Sequence, residues 1–460
     1  MMPRLGADGA PPALPISALL VGALAVALGG AALLLSPAAF TSYLGAPRVV
    51  ALNHLFTLLC VGLVFAGTLQ QLPAVMFVTK LVWPRLGWLT LPVLGAGSAA
   101  VVVGFLRGFD ASWLVPGAAA VSATWLALLA QLLATAARRW PKDAGSHALI
   151  LSVVFLTLAV TLGFALSGAR SSPQVAAQLG YPVRLHFTVG LFGAFLLGIV
   201  GSGQKLLSMF ALAKGGPRWR VRYAYLAVCA AVVTEGLAAF ARLPLDHAAE
   251  VMLAVACALQ VWEVFGILRR RLRRKLEAPI QRYVLAHAFL PLAGVALLTG
   301  QGGAAVVLFL VGFVGLAVSG MLVKILSFLT WTWQFAGAAT GGVSGGAPLL
   351  RDLVRDELEP VITWGLAVGA LSLAAGVTWR AEALVLVAGA ATLAGGAALF
   401  AQACHVVLTT VGAKRRLARA AADRARTQGG AGQAEVAGTT AGGETPGAAK
   451  VARALEDTGA

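Results

Sequence analysis

Long apolar runs separated by short polar loops dominate the chain. Each run has about 20 residues or more, which is enough for a helix to cross a hydrocarbon core about 30 Å thick. The runs are continuously apolar rather than alternating, so transmembrane β-strands are not expected. The pattern predicts an all-α, polytopic membrane protein with about 12 transmembrane helices. The predicted spans cover 15–36, 49–77, 86–106, 112–137, 146–168, 182–212, 222–243, 249–268, 283–300, 302–333, 360–378 and 383–412.

A short phrase recurs at the end of three of these runs. It reads Gly-Thr-Leu-Gln-Gln-Leu from Gly67, Gly-Ser-Gly-Gln-Lys-Leu from Gly201 and Gly-Met-Leu-Val-Lys-Ile from Gly320. The copies lie 134 and 119 residues apart, which leaves room for four spans each time. A recurrence of this kind indicates an internal repeat. The predicted four-helix repeats cover about 15–137, 146–268 and 283–412.

Basic residues collect in the loops that follow even-numbered spans, most densely at 269–275. Loops after odd-numbered spans hold fewer Lys and Arg. The positive-inside rule then puts both termini on the cytoplasmic side of an inner (plasma) membrane. Residues 1–14 are predicted to be a cytoplasmic N-terminus, and 413–460 a basic helix followed by a disordered cytoplasmic tail. The loop 334–359 is predicted to be cytoplasmic and to contain a short amphipathic helix at the membrane surface over 349–356.

Composition agrees with a membrane protein and excludes a nucleic-acid-binding role. The chain is 59% hydrophobic and 12% charged, whereas about 25% of residues are charged in soluble domains. Its net charge of +17 lies in loops between spans rather than in a basic domain, so no nucleic-acid partner is expected. Contact with the lipid bilayer is expected, and some of the charge suits anionic headgroups. The four cysteines fall in apolar segments and fit small core residues.

Two histidines are candidate ligands for a haem or a copper ion. His54 and His186 lie in the outer parts of spans 2 and 6, and a neutral imidazole nitrogen is a good ligand for both groups. The alternative is an interfacial histidine bonded to a carbonyl or to water. His54 precedes the repeat glycine by thirteen residues and His186 by fifteen. Two residues turn a helical side chain by about 200°, so the two histidines are not symmetry mates.

Four other ionisable residues fall within or beside the spans. An intramembrane charge is costly and marks a candidate functional group. Glu235 is either a proton relay or a protonated carboxyl bonded to a neighbouring helix, and Glu263 lies above the basic run of span 8. Lys205 and Lys324 occupy the same place in two copies of the repeated phrase. They either extend to the headgroups or contribute to a polar ring at the inner face.

The architecture resembles the haem–copper oxidase subunit I superfamily. Twelve spans, both termini inside, threefold repetition and a histidine in the outer part of span 2 carry this resemblance, which covers about 15–412. The segment His186-Phe187-Thr188-Val189-Gly190-Leu191-Phe192-Gly193 also looks like the His-led span of the NnrS family, whose members carry haem and copper. The resemblance implies a low-spin haem ligand at His54 and a copper ligand at His186.

The chain departs from the oxidases at the positions that matter for catalysis. Span 7 contains no histidine, and span 10 has only apolar residues where oxidase ligands are expected. A complete binuclear centre cannot be assembled, so no catalytic residue is assigned and oxygen or nitric-oxide reduction by that mechanism is not expected. The leading hypothesis is a haem- or copper-binding accessory or sensor protein. The alternatives are a proton-linked small-molecule transporter using Glu235 and a non-catalytic scaffold for respiratory-chain subunits.

Overall fold

Within the part of the chain that the structure describes, twelve helices are long and apolar enough to cross a membrane, which confirms the predicted all-α, polytopic class. The computed structural model describes residues 9–171, 174, 182–217, 219–241, 243–340 and 348–439, except for the side chains of 171, 246, 336–340 and 420–439. The spans, numbered 1 to 12 in chain order, are Ala13–Leu35, Pro47–Leu69, Gly87–Leu106, Ala111–Arg138, Ala144–Arg170, Val183–Phe210, Trp219–Ala241, His247–Arg269, Ala278–Leu298, Gly302–Phe335, Leu358–Trp379 and Glu382–Arg419.

Span boundaries agree with the predicted ones to within five residues, except at the ends of spans 2 and 12. Span 12 reaches Arg419, seven residues past its predicted end at 412. The predicted span 49–77 is broken, because the helix ends at Leu69 and a separate helix covers Leu72–Phe77. Pro73 stands in the first turn of the second helix, where a missing N–H is tolerated, but within a continuous helix it would remove a backbone hydrogen bond. A further short helix, Pro37–Thr41, lies between spans 1 and 2.

Three π-helical segments occur at matching places in spans 2, 6 and 10. They cover Leu55–Gly62, Val189–Leu196 and Leu308–Val314. Each begins twelve residues before the glycine that opens the repeated phrase. π-Helical turns are rare and concentrate at functional sites. Three of them at the same distance from the repeated glycine are therefore not expected by chance. The three helices also meet, since a small cavity of about 70 Å³ between them is lined by all three.

The opening glycine of each phrase packs against the first span of its own group of four. A methyl group at Gly67 would lie 2.7 Å from Cβ of Ala18 in span 1. A methyl at Gly201 would lie 2.7 Å from the carbonyl oxygen of Gly145 in span 5, and one at Gly320 would collide with the backbone of span 9. Small residues let helix backbones approach closely in lipid, so close packing of spans explains the glycine of the phrase.

Spans 7 and 8 lie at the edge of the bundle, and span 10 lies at its centre. The apolar stretch of span 10 is 72% buried, whereas those of spans 7 and 8 are each 28% buried. The two peripheral spans pack mainly on each other. They therefore present most of their surface to lipid.

The segment predicted as an amphipathic surface helix has a different structure. It forms a single 3₁₀ turn, Leu350–Leu353, and Leu353 is fully buried. The turn packs against spans 10 and 12, because an apolar leucine gains more by contact with protein than by lying among headgroups. Beyond the bundle, the last helix continues to Thr439. The end of the predicted tail, 440–460, and residues 1–8 of the predicted N-terminus lie outside the described residues.

Candidate functional site

A large cavity lies at the end of the bundle where spans 2 and 6 begin. Its volume is about 620 Å³, within the usual range for sites that bind small molecules. Its walls come mainly from spans 1, 2, 5, 6, 10 and 11, and most of the lining residues are apolar. Both candidate ligands, His54 and His186, line this cavity.

The two histidines lie close together although they are not symmetry mates. Their ring centroids are 6.4 Å apart, and the ring planes are inclined by only 14°. His54 is the last residue before the π segment of span 2, whereas His186 lies three residues before that of span 6. The offset of two residues seen in the sequence therefore persists in the structure, and the two rings meet from neighbouring groups of four spans.

Each imidazole is held in one tautomer by a backbone carbonyl. Nδ1 of His54 donates to the carbonyl oxygen of Val50 at 2.8 Å, and Nδ1 of His186 donates to that of Ala159 at 3.0 Å. In a neutral imidazole the other nitrogen then carries a lone pair. Histidines that bind metals commonly have this arrangement, with one nitrogen fixed by a carbonyl and Nε2 left for the metal. A histidine at the membrane interface that binds no metal would make the same hydrogen bond to a carbonyl. These two bonds are therefore compatible both with a metal ligand and with an interfacial histidine.

Aromatic rings and one cation surround the histidine pair. Phe105 lies 4.6 Å from the ring of His54, centroid to centroid, and stacks edge-on against Phe109. The guanidinium of Arg170 lies 3.7 Å above the ring of Phe109 and also lines the cavity. Among the described lining residues, the site thus combines flat apolar walls with one positive charge, that of Arg170.

The described residues supply no third ligand of the usual kind beside the pair. Among the residues that the structure describes, no cluster of three or more His, Cys, Asp or Glu has the geometry to hold a metal ion. Cys60 is buried in span 2, and no disulfide occurs in this part of the chain. A protein-only metal site commonly uses three or four ligands, so the pair falls short of one by itself.

The other four histidines are engaged elsewhere. His147 donates from Nε2 to the carbonyl of Pro141, and His247 is exposed beside Glu250. His287 is buried between Gln260 and the carbonyl of Tyr283. His405 lies next to Thr409 in span 12. None of the four lines the cavity that holds His54 and His186.

Both candidate glutamates are buried and paired with arginine. Glu235 is 3% exposed and accepts a hydrogen bond from Nε of Arg184 at 2.9 Å, on the neighbouring span 6. Glu263 lies 3.4 Å from the guanidinium of Arg220 and 3.7 Å from that of Arg270. Neither carboxylate lines the large cavity.

The two lysines of the repeated phrase have different surroundings. Lys205 is exposed, as expected for a side chain that extends to the headgroups. Lys324 is buried, forms an ion pair with Glu277, and its ammonium lies 5.1 Å from the ring centre of Phe210. Burial disfavours the charged form of Glu277, but Lys324 and Arg273 beside it hold the pKa of that carboxyl below its usual value.

One buried ion pair was missed by the sequence reasoning. Arg282 of span 9 and Glu359 of span 11 are 0% and 2% exposed, and their side chains lie 3.0 Å apart. Each falls one residue outside a predicted span, at 283–300 and 360–378, so hydropathy places it in a loop. The helices begin earlier, at Ala278 and Leu358, and their first two turns already pack against neighbouring helices.

Comparison with known proteins adds no relative. No protein-family model matches the chain, and no curated protein matches it either. The arrangement of its own residues is therefore the basis for assigning a function.

Proposed function

We propose that the protein binds one haem in the membrane through His54 and His186. The observation that supports this most strongly is the meeting of two tautomer-fixed imidazoles in one cavity, with ring centroids 6.4 Å apart. Two imidazoles that bind one iron from opposite sides have ring centres roughly 6 Å apart, because each metal–nitrogen bond is about 2 Å.

The number of ligands favours haem over a bare copper ion. Haem brings its own porphyrin nitrogens to the iron, so two imidazoles from the protein would be enough to hold it. Copper held only by protein needs further ligands, and the described part of the chain offers no third one beside the pair. The apolar cavity walls and the nearby Arg170 suit a flat, apolar macrocycle that carries acidic groups at its edge.

We assign such a haem to an accessory or sensor role rather than to catalysis. Held by two histidines, haem would supply one-electron chemistry rather than a place for a substrate to bind. His54 and His186 would orient the group, and the apolar walls would exclude water from it. The proposed location is an inner (plasma) membrane with both termini cytoplasmic, and respiratory-chain subunits are the proposed partners.

The transporter alternative has less support. It depends on Glu235 as a proton-linked group in a substrate path. Glu235 instead lies on peripheral span 7, is paired with Arg184, and is outside the cavity lining. No comparable observation favours the scaffold alternative.

We also propose that the spans form three four-helix repeats about a pseudo-threefold axis. Three matching π segments, three glycines packed on the first span of each group, and a cavity shared by spans 2, 6 and 10 support this arrangement. It agrees with the resemblance to the haem–copper oxidase subunit I superfamily, without the oxidase ligand set.

The proposal predicts that either histidine is needed for haem to stay bound. Purified wild-type protein from haem-replete cells should show a Soret band and about one haem per chain, with little copper. His54→Ala or His186→Ala should lower the haem content at least about tenfold, because each variant removes one of the two residues that would hold the group. Haem and copper per chain are measured by pyridine haemochrome and metal analysis.

His147→Ala and His405→Ala are the matched controls, since both residues lie in spans but outside the cavity. Both should keep the haem content of the wild type. Equal haem and copper in wild type and both cavity variants would contradict the proposal, as would their absence from all three. Copper without haem, lost in both variants, would show a different metal at the same pair.

A further inference from the structure

The loops after spans 6 and 8 are joined into one surface by backbone hydrogen bonds. Ala213 and Arg271 form an isolated antiparallel bridge. The N–H of Lys214 donates to the carbonyl of Arg270, and the N–H of Leu272 donates to that of Leu212, both at 3.3 Å. Two loops that are 50 or more residues apart in sequence thus hold their basic side chains in a fixed relation.

This surface has positive charge that no nearby acidic residue neutralises. Glu263 is already paired with Arg220 and Arg270, and Glu277 with Arg273 and Lys324. Five exposed cations remain that have no acidic partner in the described part of the chain, and they are called the basic surface below. The basic surface consists of Lys214, Arg269, Arg271, Arg274 and Lys275.

Apolar and aromatic side chains flank the basic surface. Leu212 and Leu272 are 54% and 63% exposed on the paired loops themselves. Trp219 and Trp262 are 41% and 51% exposed, and their rings meet edge to face at 5.1 Å. Trp262 precedes Arg269 by seven residues, or about 10 Å along the helix. Indole rings at this depth are typical of the membrane–water interface.

We propose that the basic surface binds the headgroups of anionic phospholipids. A phosphodiester would contact the cations, and its acyl chains would pass the exposed leucines and the paired indoles. A soluble phosphate would satisfy the charge but would leave four apolar side chains facing water, so the surface fits a lipid better. Clusters of four to eight Lys or Arg next to a membrane span are typical of anionic-lipid binding.

Quenching of tryptophan fluorescence by brominated lipids tests this directly. The full-length protein in mixed micelles is titrated with brominated phosphatidylglycerol or with brominated phosphatidylcholine. We expect brominated phosphatidylglycerol to quench Trp219 and Trp262 at a mole fraction at least about fivefold lower than brominated phosphatidylcholine requires. One or two favourable contacts between a cation and the headgroup are enough for a difference of this size. The quenching that comes from these two rings is obtained by subtracting the quenching of the double variant Trp219→Phe/Trp262→Phe from that of the wild type.

The preference for phosphatidylglycerol should be lost in the triple variant Arg271→Gln/Arg274→Gln/Lys275→Gln. It should remain in a control triple variant that changes the basic loop after span 4, Arg138→Gln/Arg139→Gln/Lys142→Gln. Circular dichroism and elution volume check that both triple variants stay folded. Equal quenching by the two lipids in the wild type overturns the proposal, and so does equal loss of preference in both variants. Abolition of the preference by millimolar glycerol phosphate would show a site for soluble phosphates instead.

Discussion

Replacing Arg282 by Met is expected to destabilise the protein by about 3–5 kcal/mol, because it leaves the carboxylate of Glu359 buried and unpaired. Arg282 also donates to the carbonyl of Ser319 at 3.3 Å, so the change removes a contact with span 10 as well. The free energy of unfolding in mixed micelles, measured by SDS titration, gives the size of the effect.

Two comparisons separate the lost pair from a general effect of the substitution. Arg351→Met breaks an ion pair with Asp352 in which the side chains are 77% and 51% exposed, and it should change stability by less than about 1 kcal/mol. Arg282→Met/Glu359→Leu removes both charges and should recover most of the loss. An Arg282→Met variant as stable as the wild type would mean that the pair contributes nothing to the packing of spans 9 and 11.

Gly201→Ala is expected to destabilise the bundle by about 1–3 kcal/mol through overpacking. The added methyl would lie 2.7 Å from both the carbonyl oxygen of Gly145 and the amide nitrogen of Leu149. Both are backbone atoms, so spans 5 and 6 must separate to make room. Thermal unfolding in detergent, followed by tryptophan fluorescence, should show a lower midpoint.

Gly236→Ala is the matched control, because a methyl group there would meet no heavy atom within 4 Å. It should leave stability unchanged or raise it slightly, since alanine is the better helix former. If both variants melt at the same temperature, the close approach at the repeated glycine does not hold the spans together.

The number and position of the spans could be predicted because a membrane helix has a simple signature of about 20 apolar residues. That signature misplaced Arg282 and Glu359. A hydropathy pattern puts charged residues in loops, whereas here the first two turns of each helix are already enclosed by protein. Hydropathy also does not predict the break after Leu69, since only Gln70 and Gln71 interrupt the apolar sequence and it resumes at Leu72 with Pro73 inside it.

The candidate site could be predicted only in part. His54 and His186 were singled out by span and depth, but their distance depends on how spans 2 and 6 rotate and pack, which composition does not encode. The three π segments leave no mark in residue composition either. Glu235 attracted attention as an isolated intramembrane charge, and its partner Arg184 lay 51 residues away in sequence.

Electron paramagnetic resonance of the oxidised, haem-loaded protein distinguishes an iron shared by His54 and His186, as proposed, from an iron bound by one histidine alone. Two imidazoles on one ferric iron give a low-spin signal, whereas one imidazole or none leaves the iron high-spin. We expect a low-spin signal in the wild type. Haem that remains in His186→Ala should be high-spin and should return to low spin when free imidazole is added. A high-spin wild type, or a low-spin signal unchanged in His54→Ala and His186→Ala, would contradict the account.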